Sequence, residues 1–385
     1  KLKEARKSIR KEKFKNIKTS LSKLNAAFSK SLLEQKEKII EVKYFDETLM
    51  LLFSKFLSNY QDLLKNKDVN FPKPIQDFYL DVFRFSKIYE LINEDYVCFI
   101  KKDSDEELEL NIFCIRPTSY ISSTINSFRN VALFSATLSP NLYFRDVIFN
   151  NDEKVEFKAF PSPFDEKNFN LLIAPKISFK YKDRVGSIND VTQMIAYFVN
   201  AKIGNYLLFV PSYEYINLLK NNLNLYGCNI FYQFAKMSEE QKKDFLNNLA
   251  KNPDKTTVCV AVLGGIFSES IDLVGDMLIG VIVLGVGFPQ INFENEKIKN
   301  YYDLNNEKGF SYAYLYPGMS AVTQAVGRLL RSESDYGSVL LVDSRYMQKQ
   351  YLNLFPKNWN NYKVVTTPFD VSEYLTKFYD KHKEI

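Results

Sequence analysis

The chain has 385 residues, 46% of them hydrophobic and 25% charged, with a formal net charge of +5. That balance belongs to an ordinary globular protein and excludes a disordered chain, a collagen and a coiled-coil rod. The longest apolar candidate for a membrane span, Met277 to Pro289, has 13 residues and three glycines, so it reads as a buried strand with its exit loop, and no membrane partner is expected. The N-terminus opens with charge where a signal peptide would carry an apolar core.

Residues 1–20 carry nine Lys or Arg against Glu4 and Glu12. A basic start of this kind suits nucleic acid, and equally a solvated helix face. Apolar residues then recur at helical spacing: Ile17, Leu21, Leu24 and Phe28 in one run, a second run over 31–64, and a third over 75–91 after Phe71-Pro72-Lys73-Pro74. The first strand candidates are 95–101 and 109–115. A helical stretch over 118–128 and an apolar run over 130–134 follow. From Leu171 the pattern alternates, with strands expected at 170–174, 206–210, 228–232, 257–262, 279–285 and 338–342. Helices are expected between them at 190–203, 212–225, 238–251 and 319–331. Continuous apolar strands separated by amphipathic helices predict an α/β fold with a parallel sheet covered on both faces.

The four cysteines, Cys98, Cys114, Cys228 and Cys259, have no metal-ligand spacing. They read as small buried or half-buried side chains in a reducing cytoplasm, with no metal site. The only histidine is His382, next to the C-terminus, which argues against histidine-based chemistry.

Four strings carry chemistry. In Gln324-Ala-Val-Gly-Arg-Leu-Leu-Arg331, helical periodicity puts Gln324, Arg328 and Arg331 on one face, a row suited to polyphosphate, while Gly327 permits a close approach. A surface helix with incidental salt bridges fits the same string. Gly264-Gly265-Ile-Phe267-Ser-Glu269-Ser270-Ile-Asp272 follows a strand, where a ligand loop belongs, and Glu269 and Asp272 offer acceptors. Ser135-Ala-Thr137-Leu-Ser-Pro140 and Phe209-Val-Pro-Ser212-Tyr213 place hydroxyls at strand ends. Each of these also reads as a plain helix cap.

In this order and spacing the four strings closely resemble motifs III, IV, V and VI of the XPD/DinG family of superfamily 2 helicases. Ser135 to Pro140 looks like motif III, Phe209 to Tyr213 like motif IV, the 264–273 loop like motif V, and Gln324 to Arg331 like motif VI. Ser162-Pro-Phe164, Ala313-Tyr-Leu-Tyr-Pro-Gly318, Asp335-Tyr-Gly337 and Val342-Asp-Ser-Arg345 add to the likeness, which spans about 82–356 and is nearest the bacterial DinG/YoaA-like branch. One departure is Ser270, where the family has glycine.

The resemblance implies a RecA-like second motor domain over 171–385, a connector over 141–170, the last strands of motor domain 1 over 101–140, and an all-helical Arch-like segment over 1–100. It implies ATP-driven 5′ to 3′ translocation on single-stranded DNA, with a DNA-repair setting typical of the family. ATP and Mg2+ would lie between the motor domains. Arg331, Arg328 and Gln324 would serve catalysis, and Glu269, Asp272, Gly265 and Gly327 would bind nucleotide. Ser135, Thr137, Ser212, Tyr213 and Phe267 would meet the strand. The chain contains no Gly-x-x-x-x-Gly-Lys-Ser/Thr string and no DEAH string. It is therefore expected to be the C-terminal portion of a larger helicase, inactive alone, with motor domain 1 of the same polypeptide as its partner. The family's iron–sulfur cysteines would also lie upstream. A truncated or degenerate relative, binding DNA or a partner without turnover, is the alternative.

Overall fold

The computed structural model describes residues 1–9, 14–65, 69–102, 107–152, 154–249, 253–267 and 277–382. It divides into two compact units, Lys1–Thr124 and Ile125–Ile385.

The first unit is mainly helical. Its helices are α1 (Leu2–Lys7), α2 (Lys15–Glu34), α3 (Glu47–Leu64) and α4 (Lys73–Tyr89), with α5 (Thr118–Asn126) running across the boundary. The predicted apolar stripe closes the core: Ile17, Leu21 and Leu24 of α2 pack with Phe53 and Phe56 of α3 and Ile75 and Phe78 of α4. Asp46 caps α3 by accepting the Leu49 N–H at 2.9 Å, which fixes where that helix starts. Lys1 and Lys3 pair with Asp81 and Glu107 at the surface, while Ala5 and Ile9 turn inward.

The segment is not all helix. Strand β1 (Ile39–Val42) pairs antiparallel with β2 (Tyr96–Lys102), which pairs antiparallel with β3 (Leu108–Cys114). Four residues of β1 between two long helices are too few to show a period of two, so the sequence reading passes over them. Because β2 and β3 complete this small sheet, the first unit extends to Thr124 and not to the boundary expected at 100. The apolar run 130–134, expected as a strand, forms none. Val131, Leu133 and Phe134 are exposed there, Phe134 to 94%. A strand exists only where another offers it a hydrogen-bonding edge, and no described strand does so here.

The second unit is built on seven parallel strands: β4 (Phe169–Ala174), β5 (Asn205–Val210), β6 (Asn229–Tyr232), β7 (Thr257–Val262), β8 (Gly280–Leu284), β9 (Gly337–Val342) and β10 (Lys363–Val364). Their order across the sheet is β10-β4-β9-β8-β5-β7-β6, and every pairing is parallel. The six strands expected from the apolar runs are present to within a residue or so; β10 adds a two-residue edge. Side chains alternate between two cores. Leu207, Phe209, Val281 and Val283 face one layer, closed by Phe245 of α9 (Glu239–Asn247) and Val322, Ala325 and Val326 of α11 (Tyr316–Val326). Tyr206, Leu208, Ile282 and Leu284 face the other, closed by α7 (Ile188–Val199), α8 (Tyr213–Asn222) and α13 (Pro368–Lys381). Burial of both faces is why these strands read as unbroken apolar runs.

Helices α6 (Asn141–Phe149) and α10 (Phe293–Asn306) bear on the site, and the short α12 (Lys349–Leu352) follows β9. Asp146 of α6 accepts the Tyr312 hydroxyl at 2.8 Å. Tyr143 meets the Tyr312 ring edge-on at 5.0 Å. Tyr312 belongs to a π-helical turn, Ser311–Leu315, that leads into α11. No helix among the described residues is long and apolar enough to cross a membrane.

Candidate functional site

The carboxyl ends of parallel strands are where a doubly covered sheet presents its loops. Three of the four strings lie at such ends or on the helix packed against them.

After β7 the chain turns at Leu263-Gly264-Gly265, and the Gly265 N–H closes the turn on the Val262 carbonyl at 3.1 Å. Gly264 has φ +73, the left-handed region that glycine enters without strain. A Cβ placed on it would stand 3.8 Å from the Ala321 Cβ, so the turn lies against α11. Gly264 is exposed and Gly265 half-buried.

Phe267 departs from expectation. It is 2% exposed and meets Phe245 at 4.5 Å between ring centroids. The turn folds the chain back into the core, so this ring anchors the loop and presents nothing to a nucleic acid. Glu269, Ser270 and Asp272 lie outside the described residues.

Motif VI also differs from the helical row expected of it. Helix α11 ends at Val326, and Gly327 takes an ordinary right-handed φ of −62 as its cap. The Arg328 and Leu329 amides bond back to Ala325 and Val326 in tight turns. Gln324 therefore sits in the last helical turn, while Arg328 and Arg331 follow on an irregular segment. Leu329 and Leu330 bury themselves in the core, which fixes the segment from below. Arg328 is half-buried and Arg331 exposed. Asp335, 4% exposed, accepts the Arg331 N–H at 2.7 Å and the Ser332 N–H at 2.9 Å on one oxygen. Its other oxygen accepts the Ser332 hydroxyl. The acid thus ties the arginine-bearing loop shut. Sequence reading noted Asp335 only as part of Asp-Tyr-Gly; an acidic residue four positions after Arg331 in a Ser-Glu-Ser-Asp run is the signal of such a turn.

Ser212 ends the strand-to-helix turn after β5. Its Oγ accepts the Tyr215 N–H at 3.3 Å and caps α8. Tyr213 is 39% exposed. Gln233, just past β6, was not singled out from sequence, yet it is 2% exposed and bonded at both ends of its amide. Its Nε2 donates to the Tyr213 hydroxyl at 2.9 Å, and its Oε1 accepts the Val262 N–H at 2.8 Å. The Leu263 N–H reaches the Val210 carbonyl at 2.9 Å. Motif IV and the turn after β7 are therefore one hydrogen-bonded unit.

Ser135 and Thr137 form a turn of their own. The Ser135 Oγ accepts the Thr137 N–H at 3.2 Å, and Ser135 is exposed while Thr137 is half-buried. This turn precedes α6, which Asp146 and Tyr143 hold on the π-helical turn before α11.

A further pair lies after β9. Arg345 forks onto Asp343 through Nε at 2.8 Å and through a terminal nitrogen at 2.6 Å, with its guanidinium 5.0 Å from the Phe288 ring centroid. Burial works against the Arg345 charge, but Asp343 outweighs it and holds the guanidinium protonated. Burial, helped by the nearby Arg345, pushes Arg184 the other way. Arg331, exposed on a pinned backbone, and the half-buried Arg328 before it carry the charge that suits anionic oxygens.

Residues 195–362 match the family model described as the helicase C-terminal domain. Among curated proteins, the chain is 25% identical over 283 residues to the ATP-dependent DNA helicase CHL1 of Vanderwaltozyma polyspora, covering 66% of this chain and 33% of that protein. It is 24% identical over 341 residues to a probable ATP-dependent helicase of Methanocaldococcus jannaschii, covering 81% and 48%. Among solved structures, an XPD helicase superposes with a TM-score of 0.57 at 19% identity, covering 94% of this chain and 64% of that one. Xpd4 of S. tokodaii gives 0.55 at 16% identity, covering 95% and 69%. The chain spans about a third of the length of the curated relatives that match it first.

Proposed function

We propose that this chain, whose residues 195–362 match the helicase C-terminal domain, supplies the second motor domain of an XPD-like, ATP-dependent helicase that moves 5′ to 3′ on single-stranded DNA. The observation that carries this reading is Arg331, exposed beyond the end of α11 on a loop whose backbone Asp335 fixes.

A translocating motor needs a phosphate sensor that is rigid at its root and able to meet ATP bound by another domain. Arg331 has that design, with Arg328 and Gln324 beside it in sequence and the Gly264-Gly265 turn packed on the same helix. ATP and its Mg2+ would bind between this domain and motor domain 1. The phosphate loop and metal-holding acid would come from motor domain 1, because no string of either type occurs in this chain. Bound Mg2+ would neutralise phosphate charge. Arg331 and Arg328 would stabilise the charge that develops on the γ-phosphate. Alone, the chain should bind single strands without turning over ATP.

Strand contact falls to Ser212, Tyr213, Ser135 and Thr137, all at or near the surface. Ser212 begins a helix whose first amides suit a phosphate, and the Tyr213 ring suits stacking or hydrogen bonding.

Arg331→Ala in the full-length protein tests the reading. An arginine in this role contributes about 10³–10⁵ in rate. ATP turnover should fall by that order, while affinity for a single-stranded oligonucleotide stays within about twofold of wild type, since the side chain serves the nucleotide. Normal turnover in this variant would overturn the assignment.

A further inference from the structure

We propose that Gln233 is a positioning residue that turns the Tyr213 hydroxyl into an outward-facing hydrogen-bond donor for a phosphate oxygen of a bound single strand. The inference rests on the strand-contact reading above and adds the direction of the bond and the residue that sets it.

A glutamine amide has an accepting oxygen and a donating nitrogen, and coordinates alone rarely say which is which. Here the protein decides. The backbone N–H of Val262 can only donate, and it points at one end of the Gln233 amide at 2.8 Å. That end must be the oxygen. The other end, 2.9 Å from the Tyr213 hydroxyl, is therefore the NH2 group. Gln233 cannot flip without setting two donors against each other. Its backbone is fixed too, because its N–H continues the β6–β7 ladder onto the Val260 carbonyl at 2.9 Å. At 2% exposure no water competes for the amide.

The consequence falls on Tyr213. A phenol oxygen that accepts from Gln233 keeps its own proton free of that bond, and the proton must point elsewhere. With Tyr213 39% exposed, elsewhere is the solvent face at the carboxyl end of the sheet. A tyrosine held this way prefers an acceptor. Phosphate oxygens are strong acceptors, and a bond to a charged group is the more valuable kind. Gln233 also joins Val262, whose carbonyl closes the Gly265 turn, so the residue that aims the tyrosine also holds the root of the exposed glycine loop.

Gln233→Glu tests the direction of the bond. The glutamate has nearly the same shape and still accepts from Val262, but it offers Tyr213 an oxygen, so the phenol proton turns inward. Binding of a fluorescent oligothymidylate to the full-length protein is measured for wild type, Gln233→Glu, Tyr213→Phe and the double variant. The proposal expects Tyr213→Phe to lose roughly tenfold in affinity. It expects Gln233→Glu to lose at least as much, and to cost much less when Tyr213→Phe is already present. Repulsion between the new carboxylate and the strand is common to both backgrounds and cancels in the cycle. Equal losses from Gln233→Glu in the two backgrounds would overturn the proposal. Wild-type affinity in Tyr213→Phe would overturn it as well. If wild type itself fails to bind, the strand-contact reading falls and this inference falls with it, an outcome distinct from the other two. Should Gln233→Glu fail to fold, Tyr213→Phe is compared with Tyr213→Leu. A loss in both supports the donor role, and a loss in leucine alone shows that only the ring matters.

Discussion

The backbone N–H of Arg331 donates to the buried carboxylate of Asp335 across 2.7 Å, so the peptide of the exposed arginine is held by an acid that never reaches the surface. The same oxygen takes the Ser332 N–H. Removing the acid leaves two part-buried backbone donors without their acceptor. Asp335→Ala should cost about 1–3 kcal/mol, read as a lower midpoint in denaturant unfolding. Asp335→Asn should cost clearly less, because its carbonyl can take both amides while its NH2 group donates to Ser332 Oγ. ATP turnover of the full-length protein should follow the same ranking.

Gly318 lies where α11 begins, against the chain that leaves β8. A Cβ there would stand 2.7 Å from the Val286 carbonyl oxygen and 2.9 Å from Phe288 Cδ1. Backbone cannot yield as a flexible side chain can. Gly318→Ala should destabilise the protein by about 1–3 kcal/mol. Gly186→Ala is the control, since its Cβ would meet only the Asp183 carbonyl at 3.8 Å. Thermal unfolding should separate the two by several degrees, with Gly186→Ala at or near the wild-type midpoint.

Helix α13 carries a predicted pH dependence. Asp370 accepts the Thr366 N–H at 2.7 Å and the Thr367 N–H at 3.0 Å. Those bonds, that of Thr366 first, hold its carboxyl at about 2 against an ordinary 3.8. A carboxyl lowered by folding adds stability above its unfolded value, and that stability is lost as pH falls towards the folded one. The stability gap between wild type and Asp370→Ala should be constant above about pH 4 and narrow steadily towards about pH 2. Urea unfolding across that range reads it. A gap independent of pH would mean that the cap does not depend on the charge.

Much of the fold was legible because burial on both faces of the sheet leaves unbroken apolar runs. The strand at 257–262 coincides with the run that predicted it, and the strands at 205–210 and 337–342 differ from theirs by a residue. What escaped has physical causes. Leu329 and Leu330 continue the apolar period of α11, so the period alone extends the helix to Arg331. The chain instead leaves the helix at Gly327 and buries the same leucines from a loop that Asp335 closes. Phe267 sits in a glycine-rich stretch that reads as surface, but the turn at Gly264 swings it onto Phe245. Gln233 is a polar residue after an apolar strand, which reads as a strand end. Its value comes from Tyr213 and Val262, which lie 20 and 29 positions away. Such partners are set by the order of strands across the sheet, which periodicity does not encode.

The proposed function gives this chain one half of an ATP site. Single-stranded-DNA-stimulated ATPase tests it most directly, measured on the chain by itself and on a protein extended upstream through a phosphate-binding loop. Turnover is expected only in the extended protein, lost again with Arg331→Ala. Hydrolysis by the chain alone, with the same sensitivity to the oligonucleotide, would contradict it.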